Sequence, residues 1–167
     1  ELTGNIFPKK ELMQQLNSIR VNKKLQNHKQ VGDLVWVNGE LSWQIKKSGD
    51  IVKYPLGKND NPNGSIVIWE HPMKDAPIGL YIGGNDPYDF DKAANSTSLG
   101  STFIYKRFQG FEDYYDIIVA EYTGRPDTAE EYYENVRKLL MYYNARLLYE
   151  NEKKGLFAYF SQKHCDY

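Results

Sequence analysis

Gly83-Gly84-Asn85-Asp86-Pro87 closes one apolar run of this chain, and Leu147-Leu148-Tyr149-Glu150-Asn151 closes another. Each run reads as a β-strand that delivers an acid at its end, and a helix-sized segment separates the two. A helical crossover joins parallel strands, and neighbouring strands lie ~4.8 Å apart. Asp86 and Glu150 would then emerge side by side, within reach of one or two shared divalent cations. Oxygen ligands favour Mg²⁺ or Mn²⁺ over zinc. Two such ions ~4 Å apart can divide phosphodiester hydrolysis, one activating water and the other stabilising the departing 3′ oxygen. In that scheme Asp86 bridges both ions and Glu150 completes one shell. Asp89 and Asp91, in the loop straight after the first strand, could ligate directly or through water, or be simple loop acids.

Strand alternation puts Leu80, Ile82, Gly84 and Asp86 on one face. Gly83-Gly84 leaves little side-chain bulk beside them. Glu121 ends a third strand and reads either as a neighbour of the same site or as an exposed salt bridge. Lys153 and Lys154 follow Glu150 closely and could meet phosphate or belong to a solvated turn. Lys106 and Arg107 point to opposite faces of a strand, so at most one reaches the site. His28, His71 and His164 are scattered without metal-ligand spacing, which leaves carboxylates as the ligands. Cys165 is the only cysteine, so no internal disulfide forms and a reducing cytoplasm is the natural setting.

Several elements must position these residues. Pro8 to Lys24 reads as a surface helix, with Leu12, Leu16 and Ile19 at helical spacing. The period then changes to two. Leu34–Val37, Leu41–Ile45, Ile51–Tyr54 and Ser65–Trp69 read as short strands of a small antiparallel section, with turns at Asn38-Gly39, Ser48 to Asp50 and Asn59 to Gly64. Trp36, Trp43 and Trp69 read as its core rather than a base-stacking surface. A proline-bounded connector, His71 to Pro77, leads into strands at Gly79–Asn85, Ser101–Phe108 and Asp116–Tyr122, which suit an antiparallel meander. Thr128-Ala129-Glu130-Glu131 has the form of a capping box and opens a helix reaching Asn144. Its tyrosines recur at helical spacing and read as core. Ala145–Tyr149 supplies the strand that must follow a crossover, and Gly155 to His164 begins another helix.

The 167 residues suit one domain, or one domain with an appendage. No uninterrupted apolar run approaches the ~20 residues a helix needs to cross a bilayer, and the opening Glu1-Leu2-Thr3-Gly4 lacks the pattern of a secretory signal. A start at Glu reads as that of a cut fragment. Residues 1–58 carry ten Lys/Arg against five Asp/Glu, whereas 59–167 carry eleven against seventeen. A basic portion joined to an acidic one is compatible with phosphate contacts beside a carboxylate metal site, and equally with ordinary solvated surface.

The order β-β-β-α-β-α, with first and fourth strands adjacent and each ending in an acid, resembles the ribonuclease H-like arrangement. Tyr81-Ile82-Gly83-Gly84-Asn85-Asp86-Pro87, Ile118-Val119-Ala120-Glu121-Tyr122, and Asn144 to Asn151 followed by Gly155 resemble the nuclease domain of phage terminase large subunits. The resemblance covers residues 78–167. It implies an α/β, ribonuclease H-like mixed sheet at 78–167, truncated at the C-terminus, preceded at 1–77 by the N-terminal helix, β-section and connector. It further implies a divalent-metal-dependent endonuclease in which Asp86 contacts both ions and Glu150 is the acid after the fourth strand. The family's third acid has no counterpart here, and no phosphate-loop motif of an ATPase domain is present. Implied partners are double-stranded DNA, the portal, the small terminase subunit and the ATPase domain, in the host cytoplasm and transiently at the procapsid portal. Two other readings stand beside it: a junction resolvase or integrase type of nuclease, and a non-catalytic DNA-binding or motor-docking module.

Overall fold

The computed structural model describes residues 9–21, 29–46, 59–88, 98–107, 116–149 and 154–165. These form a mixed α/β structure around one seven-stranded, mostly antiparallel sheet. Helix α1 (Lys9–Val21) precedes β1 (Gln30–Val37), β2 (Glu40–Ile45) and β3 (Ile66–Ile68). The meander β4 (Tyr81–Asp86), β5 (Gly100–Lys106) and β6 (Ile117–Gly124) follows, then α2 (Ala129–Tyr143), β7 (Arg146–Tyr149) and α3 (Lys154–Gln162). The strands lie in the order β2-β1-β3-β6-β5-β4-β7. β3 pairs with β6 through Val67 and Glu121, so the early strands continue the meander's sheet across the expected 77/78 boundary. The expected strand Ile51–Tyr54 lies outside the described residues.

Local chemistry accounts for the element ends. Asn38 (φ 52°) and Gly39 (φ 85°) make the two-residue turn between β1 and β2. Gly79 (φ 85°) lies in the turn that closes the connector, so β4 starts two residues later than alternation suggests and takes in Asp86 itself. Asp116 (φ 55°) sits outside β6, which runs on to Gly124. Thr128 caps α2 by accepting a hydrogen bond from the Glu131 amide at 3.2 Å. Asn144 ends the helix in the left-handed region, and Ala145 N–H donates to the Leu140 carbonyl at 2.9 Å, as in a Schellman motif. The chain then enters β7, parallel to β4 with Ile82–Arg146 and Asn85–Tyr149 as Cα partners. A parallel neighbour is what a helical crossover requires.

α2 covers one face of the sheet. Tyr132, Val136, Leu139, Leu140 and Tyr143 are fully buried against Tyr81, Ile104 and Tyr122, so its tyrosines are core, as their spacing predicts. A Cβ added at Gly83 would stand 2.7 Å from Leu140 Cδ2, so glycine lets the helix seat closely. Leu156 and Phe160 of α3 are buried in the same core. Helix α1 keeps Leu12, Met13 and Leu16 exposed, as expected of a surface helix. No helix among the described residues is long and apolar enough to cross a membrane.

One polar knot ties β1, α2 and α3 together. Glu134 accepts hydrogen bonds from Arg137 (2.7 and 2.8 Å), Trp36 Nε1 (3.1 Å) and the Tyr159 hydroxyl (2.9 Å). Trp36, expected from sequence to be core, is instead half open to solvent with Arg137 over its ring. Burial pushes the Glu134 pKa up, but the donated hydrogen bonds outweigh it and hold it at about 2. A depressed carboxyl pKa contributes stability above its unfolded value, and that contribution disappears as pH falls through the folded value. Wild type should accordingly be more stable than Glu134→Gln near neutrality, and the gap should close between about pH 4.5 and pH 2. Chemical denaturation across that range checks this, and a gap independent of pH would refute it.

Candidate functional site

Asp86 is exposed at the C-terminal end of β4, on the sheet face opposite α2. Gly84, Phe103 and Leu148 share that face and are exposed with it, Leu148 to 68%. The glycine pair divides between the faces. Gly83 admits α2, whereas a Cβ at Gly84 would meet nothing within 4 Å, leaving open space beside Asp86.

Directly opposite Asp86 in the antiparallel register stands Ser101 of β5, and opposite Ser101 stands Thr123 of β6. The Ser101 and Thr123 hydroxyl oxygens are 2.8 Å apart. Thr123 in turn donates to Glu121 Oε1 at 2.9 Å. Glu121 thus faces the Asp86 side of the sheet, and among the described residues it bonds to this hydroxyl rather than to a cation.

On the α2 side, the residue before Asp86 is locked in place. Asn85 Nδ2 donates to Thr102 Oγ1 and to the Tyr132 hydroxyl, both at 2.7 Å. Tyr132 is stacked on Tyr122 with ring centroids 5.4 Å apart and tilted against Tyr88 at 5.2 Å. Burial pushes the Tyr132 hydroxyl pKa well above the ordinary tyrosine range, so it remains a neutral hydroxyl. Asn85 Oδ1 is buried with no hydrogen-bond partner among the described residues. The sequence offered one signal for Asn85, its place on the face opposite Asp86, and alone that assigns no role. The Ser101–Thr123–Glu121 chain carried no signal, because cross-strand register is not written in any single segment.

The remaining sequence candidates fall in different places. Lys106 is corrected: it is only 5% exposed, lies on the α2 face, and its ammonium pairs with Glu70 at 2.7 Å. A lysine held there is on the sheet face opposite Asp86. Lys154 begins α3, exposed, and lines a shallow hollow with Leu147, Leu148, Tyr149 and Phe157. Asp89, Asp91, Glu150 and Lys153 lie outside the described residues. The described part of β7 ends at Tyr149, Cα partner of Asn85, so the last described residues before Asp86 and Glu150 pair directly. Among the described residues no three His, Cys, Asp or Glu side chains come together to hold a metal ion. No family model, curated protein or solved structure matches this chain.

Proposed function

We propose that this chain is the nuclease part of a phage terminase large subunit, a ribonuclease H-like, divalent-metal-dependent endonuclease acting on concatemeric double-stranded DNA. The observation that carries the reading is the parallel pairing of β4 with β7, with Asn85 opposite Tyr149 immediately before the two acids. The order of three antiparallel strands, a crossover helix and a fourth strand beside the first supports the ribonuclease H-like assignment. Asp86 and Glu150 would hold Mg²⁺ or Mn²⁺, with Asp89 and Asp91 as further ligands. Such ions supply water activation and charge neutralisation at phosphate.

The chain's own groups have separate tasks in this reading. Asp86 offers its carboxylate on a face where Gly84 leaves room for a sugar-phosphate backbone to approach. Asn85, tied to Thr102 and Tyr132, fixes the strand end that carries it. Lys154, exposed at the start of α3, would meet phosphate beyond β7 in this reading. The proposed partners are double-stranded DNA, the portal, the small terminase subunit and the ATPase domain, in the host cytoplasm and at the procapsid portal.

An anomalous difference map from a crystal soaked in Mn²⁺ tests the proposal, paired with Mn²⁺-dependent nicking of supercoiled plasmid. Density between Asp86 and Glu150 together with nicking of unbranched duplex is the expected outcome. Preference for branched DNA would favour a resolvase-type nuclease instead. An empty site with no cleavage would leave the non-catalytic, DNA-binding or motor-docking module as the better reading.

A further inference from the structure

The proton order along the Ser101–Thr123–Glu121 chain is fixed by valence. Thr123 has one hydroxyl proton and donates it to the Glu121 carboxylate, which only accepts. The 2.8 Å contact between Thr123 and Ser101 must then be made by the Ser101 proton. Ser101 is left with lone pairs to present on the exposed face. Its side chain stands directly across from Asp86, at a Cβ separation of about 5 Å for such a pair. A carboxylate beside an acceptor-only hydroxyl repels a bare phosphate, which is itself an acceptor. It suits a hydrated divalent cation, whose charge meets Asp86 and whose waters donate to Ser101.

We infer that Ser101, Thr123 and Glu121 form a polarised hydrogen-bond chain that orients water around a divalent cation held by Asp86. This rests on the nuclease reading above and names three positioning residues for it. Glu121 acts at a distance, by fixing the direction of two hydroxyls. Thr123→Val keeps the β-branched shape but frees the Ser101 proton to turn onto Asp86 and compete with the cation.

Mn²⁺ titration of the 167-residue chain, followed calorimetrically with no nucleic acid present, tests the inference. Ser101→Ala and Thr123→Val should each weaken Mn²⁺ binding about tenfold or more, the scale of losing a partner that orients a metal's ligands. The double variant should be about as weak as either single one, because both changes break the same chain. Thr123→Ser, which keeps the hydroxyl, should bind like wild type. Single variants within twofold of wild type, losses that multiply in the double variant, or failure of Thr123→Ser to restore binding would each overturn the chain. If wild type binds no Mn²⁺, or Asp86→Ala binds it equally well, the nuclease reading itself is refuted and the chain with it.

Discussion

Asp86→Ala is expected to weaken Mn²⁺ binding by at least about a hundredfold while leaving the fold intact. Losing a residue that merely orients a metal ligand costs about 10–100-fold in affinity, so losing the proposed bridging ligand should reach the upper end or beyond. The structural cost is small because Asp86 is exposed at a strand end, and the adjoining core is held by Asn85 on the other face. Carboxylates that share a site repel one another without a cation. The metal-free variant should therefore melt no lower than wild type, and up to a few degrees higher. Calorimetric titration with a thermal melt of the same samples checks both halves. Retained affinity would remove Asp86 from the site, and a collapsed melt would make it structural.

Gly100→Ala should be the most damaging small substitution near the site, costing about 3 kcal/mol. A Cβ at this first residue of β5 would sit 2.5 Å from Tyr132 Cε2 and 2.8 Å from its hydroxyl oxygen. A flexible side chain could yield, but Tyr132 is fully buried and wedged by Tyr88, Tyr122 and Tyr133. Overpacking of this kind costs about 1–3 kcal/mol and occasionally more. At ~2–4 °C per kcal/mol for a chain of this size, the melting temperature should fall by about 10 °C. Gly84→Ala is the internal control, since its added methyl meets nothing and should leave the melt unchanged. A Gly100→Ala melt within about 2 °C of wild type would show that the tyrosine cluster yields more easily than its packing implies. Any displacement of Tyr132 would pass to Asn85 and so to the base of Asp86, making reduced Mn²⁺ affinity a secondary sign of the same strain.

The sequence was most legible where one segment carries its own pattern. Thr128 and Asn144 bracket α2 because capping is a local event, and Tyr132, Val136, Leu139 and Tyr143 reveal its buried face by period alone. The crossover argument correctly put β7 beside β4. Trp36 was misjudged because its indole finds a partner, Glu134, ninety-eight residues away. Lys106 was misjudged because alternation tells that two neighbours oppose each other without telling which faces the core. Here Glu70 makes burial of the ammonium tolerable, as a buried charge requires. The Ser101–Thr123–Glu121 chain depends on the register of β5 against β6, which includes a shift between Ile104 and Tyr105. Such an irregularity cannot be foreseen from either strand alone.

The sheet order has a dynamic consequence. Among the described residues, β4 has a single four-residue strand, β7, between it and the margin. An outermost strand held along one side is among the first parts of a fold to open locally. β4, which carries Asp86, is instead flanked on both sides, by β5 and β7. The proposed clamp would then span a strand held on both sides and one held on a single side. A cation joining them would act as a latch on the sheet margin, and whatever pulls on β7 would open it.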